Sequence, residues 1–194
     1  MELEKVAEAL RKRKFEARVF KTKEEAAEYI NSQIDGATVG FGGSMTSKQM
    51  GLYESLGTHN TVIWHWFGGD VKEAAFADYY ISSVNGMTED GEMILIDGKG
   101  NRVGAVMYGH KKVFFVVGRN KIAEDYDKAL WRARNVAAPP NAVRLGLSTP
   151  CAKGCKCYDC KSPQRMCNFF LDIKMPTSAG MPTEVLLIDE DLGL

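Results

Sequence analysis

Near the start of the chain, Leu3, Val6, Ala7 and Leu10 recur at helical spacing, and Glu8 stands where it can pair with Lys12. That pattern predicts an amphipathic helix. A short strand over residues 15–20 follows. Thr22 and Glu25 then form a capping box ahead of a second helix that reaches about Ile34, where Gly36 breaks it. Residues 37–41 read as a buried strand, and beyond a glycine turn come a helix over 46–56, a strand over 61–67, a short helix over 71–77 and a strand over 79–84. Residues 93–97 and 103–108 read as two arms of a hairpin joined by a turn over 97–101. Residues 112–117 form a continuous apolar strand of the kind buried in a central sheet. A helix over 122–135 is expected to stop at Pro139-Pro140, and strands near 168–174 and 184–189 complete the pattern. Alternating strands and helices predict an α/β protein: a three-layer fold with a largely parallel central sheet.

Length and charge narrow this picture. The 194 residues suit one domain spanning 1–194, with a cysteine-rich loop insertion over 148–167. Twenty-five basic residues balance twenty-five acidic ones, which argues against a general nucleic-acid or membrane-surface binder. The opening Met1-Glu2-Leu3-Glu4-Lys5 lacks the basic start and apolar stretch of a secretory signal. The longest strongly apolar run, Val113-Phe114-Phe115-Val116-Val117, is far short of the roughly 20 residues that cross a bilayer. A cytoplasmic location is therefore expected, where cysteines stay reduced unless a metal claims them.

Chemistry first enters at Gly40-Phe41-Gly42-Gly43-Ser44-Met45-Thr46, between a strand and a helix. Thr46 and Gln49 make a capping-box pattern, which would start the helix there. Free amides at a helix start favour phosphate or carboxylate, and the backbone at Gly42 and Gly43 can approach an anion closely. Ser44 and Thr46 can add hydroxyl donors. The spacing fits neither a dinucleotide fingerprint nor a Walker loop, and a tight turn without ligand is the alternative. Farther on, Asn85-Gly86-Met87-Thr88-Glu89-Asp90-Gly91 follows a strand, so Asn85 and Thr88 can donate into a cleft at the sheet's carboxyl edge. Glu89 is a candidate base or nucleophile there, set against a hairpin turn with solvated acids. Asn101 and Arg102, with Lys121 beyond them, are further candidates for an anion site, and Arg102 can clamp an anion bidentately.

The series GFGGSMTS, ADYYISSVNGMTEDGEMILIDGKGNRVGAVMYG and KVFFVVGRNKI, in this order, resembles the LUD (lactate utilisation) domain family. The likeness runs from the Gly40 loop to the closing VLLIDEDLGL. It implies a three-layer Rossmann-like fold related to ribose-5-phosphate isomerase, glucosamine-6-phosphate deaminase and coenzyme A transferases. It also implies a cleft bounded by the Gly40 loop, residues 85–91 and residues 100–102, where those relatives bind phosphosugars or coenzyme A esters. The transferases use a glutamate nucleophile, to which no motif here matches Glu89. Family members accompany lactate oxidation, often beside iron–sulfur redox subunits, which are therefore expected partners.

Cys151, Cys155, Cys157, Cys160 and Cys167 follow the spacing C-x3-C-x-C-x2-C-x6-C. Thiolates converging from one loop suit an iron–sulfur cluster or zinc, although the spacing departs from ferredoxin runs and paired zinc knuckles. Reduced cysteines without metal, or a redox-labile pair such as Cys157 and Cys160, are the alternative. The family's redox company favours iron–sulfur over zinc. His59, His65 and His110 form no metal-binding pattern and read as packed or surface residues. The expected function is organic-acid (lactate-type) metabolism with a small anionic metabolite bound at the glycine loop. A ligand-sensing or assembly subunit, or an isomerase- or transferase-like enzyme, is the alternative. A homodimer is the default assembly.

Overall fold

A computed structural model describes residues 2–194. Helix α1 (Leu3–Lys12) buries Leu3, Val6, Ala7 and Leu10, the apolar face its spacing predicts. Strand β1 (Glu16–Phe20) leads into α2 (Lys23–Gln33), whose first turn is closed by Thr22 accepting from the Glu25 amide. After β2 (Thr38–Phe41) the expected single helix is two short ones, α3 (Met45–Gln49) and α4 (Leu52–Leu56). Gly51 takes a left-handed conformation (φ 63°) between them, which a helix interior does not tolerate. Strand β3 (Thr61–Ile63) is shorter than expected because the fully buried Trp64 stacks on Phe41 while His65–Phe67 turns away as a 3-10 helix.

Helix α5 (Val71–Ala74) and strands β4 (Tyr79–Ser82), β5 (Gly86–Thr88) and β6 (Met93–Asp97) follow. Residues 103–108 correct the sequence reading, since they make no hairpin arm. Asn101–Ala105 is a helix, α6. The carboxylate of Asp97 accepts the amides of Lys99, Gly100, Arg102 and Val103, so it nucleates a helical turn where a strand pattern was read. Strand β7 (Lys112–Gly118) leads through a 3-10 turn to β8 (Ile122–Ala123), which pairs with β5. Helix α7 (Tyr126–Arg132) therefore starts later than expected, with Asp125 as its cap.

Pro139-Pro140 does not end the helical run. It passes through a π-helical turn (Ala133–Ala137) into α8 (Ala138–Arg144). Two adjacent prolines lack the amides that would bond carbonyls four residues earlier, and a local widening of the helix absorbs that loss. Helix α9 (Pro150–Gly154) opens the cysteine segment, and β9 (Phe169–Ile173) and β10 (Thr183–Ile188) complete the order.

Six strands form one parallel sheet in the order β1-β10-β7-β4-β2-β3. Residues alternate between its faces as the pleat requires. Phe114, Val116, Leu186 and Ile188 pack with α2 and α4, whereas Val113, Phe115, Val117 and Leu187 pack with α1. This is a three-layer Rossmann-like α/β fold. A second, mixed sheet, β8-β5-β6-β9, shares the α1 side through Met87, Met93 and Leu95. Its opposite face, Ile94 and Ile96, is covered by Ala129 and Ala133. Among the described residues no helix is long and apolar enough to cross a membrane.

Candidate functional site

Read in chain order from β2, the parallel sheet grows to β3 on one side and, from β4 onward, through β7 and β10 on the other. The order therefore reverses between β2 and β4, and the crevice beyond the carboxyl ends of such strands is where open α/β sheets take ligands. A cavity of about 440 Å³ lies there. Gly43 and Ser44 after β2, Ser83 and Asn85 after β4, and Lys121 after β7 line it, together with the turn from Asp97 to Arg102 and the α8 residues Asn141 and Arg144.

The glycine turn differs from its sequence reading. Helix α3 starts at Met45, and Ser44 is its cap: the Ser44 Oγ accepts from the Ser47 amide at 3.1 Å and the Ser47 hydroxyl at 3.0 Å. The Ser44 proton is thus left to donate elsewhere. Thr46, read as the cap, lies inside the helix and is fully buried. Gly42 does not line the cavity. A Cβ there would sit 2.8 Å from Arg102 Cδ, so the glycine makes room for an arginine rather than for an anion.

Arg102 is buried, and its guanidinium is held by protein. Nη1 donates to the Ser83 carbonyl at 2.6 Å, and Nη2 donates to Asn85 Oδ1 at 2.6 Å and to the Ile96 carbonyl at 2.7 Å. Burial lowers its pKa, against weaker support from Asp97 and Tyr80. Burial also tends to raise Asp97. The Val103 amide, the Arg102 charge and the Lys99 and Gly100 amides outweigh that effect and hold it below the usual carboxylate range. The expected free bidentate clamp is therefore a cross-brace that fixes Asn85 and the β4 turn, with its charge still facing the cavity.

Lys121 is 4% exposed. Its Nζ donates to Thr46 Oγ1 and to Ser83 Oγ, each at 2.9 Å. The Ser83 hydroxyl passes its own proton to the Val116 carbonyl at 2.6 Å, and Thr46 donates to the Leu192 carbonyl at 3.4 Å. No carboxylate lies within ion-pair distance of Lys121 among the described residues. Burial, with Arg132 and Arg102 nearby, lowers its pKa well below that of an ordinary lysine.

Among the cavity-lining residues that the sequence reading missed are His65, Lys99 and Arg144. Arg144 lies over the Trp66 ring at 4.6 Å and donates to Asn141 Oδ1 at 2.7 Å, which fixes its head at the site. The His65 Nδ1 is buried without a hydrogen-bond partner among the described residues. Burial, then the charges of Lys99 and Arg144, push the His65 pKa down against a smaller pull from Asp97. Position alone carried a signal here, since Trp64-His65-Trp66 ends a strand at the carboxyl edge. In sum, Lys99, Arg102, Lys121 and Arg144 face the cavity against a single side-chain carboxylate, Asp97.

Of the residues singled out from sequence, Gly43, Ser44, Asn85, Asn101, Arg102 and Lys121 line this cavity, while Thr46 supports it through Lys121. Thr88 and Glu89 do not line it. The Thr88 hydroxyl donates to the Asp90 carboxylate and accepts from the Glu92 amide, which closes a turn. Glu89 is exposed, its amide donating to the Ala123 carbonyl, so its side chain has no place at the cavity.

The five cysteines are all free. Arg134 Nε approaches Cys157 Sγ at 3.4 Å, and Arg165 donates to the carbonyls of Cys160 and Cys167. Burial raises the Cys167 thiol, Arg165 opposes that, and Cys157 and Cys160 add to it. Among the described residues no three His, Cys, Asp or Glu side chains gather as a metal-holding group. The segment reaches the cavity only through Met166, whose Sδ accepts from Asn141 at 3.3 Å.

The solved structures include a relative of this fold, a DUF162 family protein from Deinococcus radiodurans. It is 12% identical, with a TM-score of 0.54 over 96% of this chain and 95% of that one. At that identity the likeness concerns the fold alone. The comparison with curated proteins gives no match. The family model for the LUD domain matches residues 3–188, nearly the whole chain, and with it the glycine turn, the Arg102 brace and Lys121. The chain belongs to the LUD domain family.

Proposed function

We propose that the cavity at the carboxyl edge binds a small carboxylated or phosphorylated metabolite, in keeping with the family's link to lactate-type organic-acid use. One observation carries the reading. Three cationic side chains, Lys99, Arg102 and Arg144, face a cavity with one side-chain carboxylate, and that carboxylate spends its oxygens on the amides that start α6. None of these side chains pairs with a carboxylate among the described residues, so an anion that completes them gains charge-assisted hydrogen bonds. The chain's zero net charge hides this local excess.

A second reading, a ligand-sensing subunit without chemistry of its own, is favoured by the same Asp97. Because its oxygens are engaged, the cavity offers no free side-chain carboxylate as general base. Both readings share the anion site and part company at Lys121.

Titration calorimetry with inorganic phosphate, and separately with lactate, tests the site. Saturable binding that weakens with added salt is expected, since the Arg144 and Lys99 heads lie toward solvent. Absence of binding by both anions, or undiminished binding to Arg144→Ala, contradicts the reading.

A further inference from the structure

Lys121 has the surroundings of an amine rather than those of an ammonium ion. An ammonium carries three protons and needs three acceptors, whereas a neutral amine carries two and keeps a lone pair. The structure supplies two acceptors, Thr46 Oγ1 and Ser83 Oγ. Both hydroxyls are oriented by onward bonds, Ser83 to the Val116 carbonyl and Thr46 to the Leu192 carbonyl, so each presents a lone pair to Nζ. On another side Gly193 closes in: a Cβ there would stand 2.4 Å from Thr46 Oγ1 and 3.0 Å from Nζ. The open approach is the cavity, which Lys121 lines. Of the charges around it, Arg102 and Arg132 are cations, and no acid pairs with it among the described residues.

We propose that Lys121 is a nucleophile that forms an imine with a small carbonyl compound bearing a carboxylate or a phosphate. The proposal rests on the anion site described above and adds the reacting group. The Nζ lone pair attacks the carbonyl carbon, the carbonyl π bond breaks, and a carbinolamine forms. Both amine hydrogens then leave with the carbonyl oxygen as water, and the carbon–nitrogen double bond closes with no net oxidation or reduction. Thr46 and Ser83 orient the amine beforehand, while the cations at the rim hold the anionic end of the substrate. An ordinary lysine, with a pKa near 10.4, keeps roughly one amine in two thousand neutral at pH 7. Lys121 has that form built into its hydrogen bonds.

The test uses the full chain at pH 7 with glyoxylate in one arm and glyceraldehyde 3-phosphate in the other, each with cyanoborohydride to fix any imine as a secondary amine. Intact mass and peptide mapping then locate the adduct. The expected result is one adduct per chain at Lys121, formed about a hundredfold faster than at the exposed Lys48. The arm that reacts tells carboxylate from phosphate recognition. Inorganic phosphate should slow the reaction by competition. Lys121→Met, which removes the amine and leaves Lys99, Arg102 and Arg144 in place, should abolish the adduct and still bind phosphate. Adducts spread over the exposed lysines, or none at all, overturn the proposal. If phosphate still binds in those samples the anion site stands without the imine, and if it does not, both fall.

Discussion

Two lysines bracket the same strand and meet opposite fates. Lys112 opens β7, and Lys121 follows its end. At the amino edge Lys112 pairs with Glu184 at 2.6 Å and Glu16 at 2.7 Å, and the fully buried Glu184 also takes Arg18 and the Tyr29 hydroxyl, each at 2.9 Å. Burial alone would lower Lys112, but its hydrogen bonds to Glu16 and Glu184 prevail and raise it. At the carboxyl edge Lys121 meets only hydroxyls and other cations, and its pKa falls. A buried charge that serves stability is paired where it stands. A buried lysine left without a counter-ion at the ligand edge of the sheet marks a candidate functional site.

The sharpest way to break this contrast is at the paired end. Glu184→Ala removes the shared partner of Lys112, Arg18 and Tyr29, leaving Lys112 only Glu16, and should cost about 3 kcal/mol of stability. Thermal unfolding reads this as a fall of roughly 10 °C in Tm, at about 2–4 °C per kcal/mol for a chain of this size. A change below 2 °C would show that the pairing contributes little.

Lys121→Met should act in the other direction, raising stability at neutral pH by about 1 kcal/mol because a buried unpaired amine is replaced by an apolar side chain. The sign follows from linkage. The unfolded chain holds the Lys121 proton up to the ordinary lysine value of 10.5, whereas the folded chain loses it lower. Between its depressed value and 10.5 the unfolded state binds more protons, so stability rises with pH. Lys112, raised on folding, contributes stability that is full below 10.5 and is lost as pH climbs through its folded value. Denaturant unfolding from pH 7 to 10 should show the rise in the parent chain and its loss in Lys121→Met.

Arg144→Ala should weaken phosphate about tenfold, near 1.4 kcal/mol, with little effect on stability because the side chain is exposed. Equal loss of binding and of fold would make Arg144 structural. Glu89→Gln is the smallest change. It should alter neither anion affinity nor stability by more than about 0.5 kcal/mol, and a larger loss of binding would return Glu89 to the site.

The parallel sheet was legible because its strands are short apolar runs between cap and turn signals, as at 112–117 and 184–189. Residues 103–108 were not, because the capping carboxylate of Asp97 lies outside the segment it folds, and Val103 and Val106 satisfy a helical period as readily as a strand. The π-helical turn escaped for a related reason. Prolines remove bonds but do not dictate whether a helix stops or widens. Within the site, residues next to strand ends were found from sequence: Ser44, Asn85, Arg102 and Lys121. Lys99 and Arg144 were not, since a surface cation is commonplace until Trp66 and Asn141 hold it over a cavity. Glu89 was over-read, because pleat and turn send its side chain outward. That Lys121 has no acid is a fact of three dimensions only.

The central claim is that the carboxyl-edge cations lack a carboxylate partner because an anion completes them, and thermal unfolding of the parent chain and Arg144→Ala across a phosphate titration tests it most directly. Without phosphate the two should melt alike, because Arg144 is exposed. As phosphate rises, the parent should gain stability by mass action at lower concentrations than the variant, so that a gap opens. Indifference of both proteins to phosphate, or equal gain, would contradict the account.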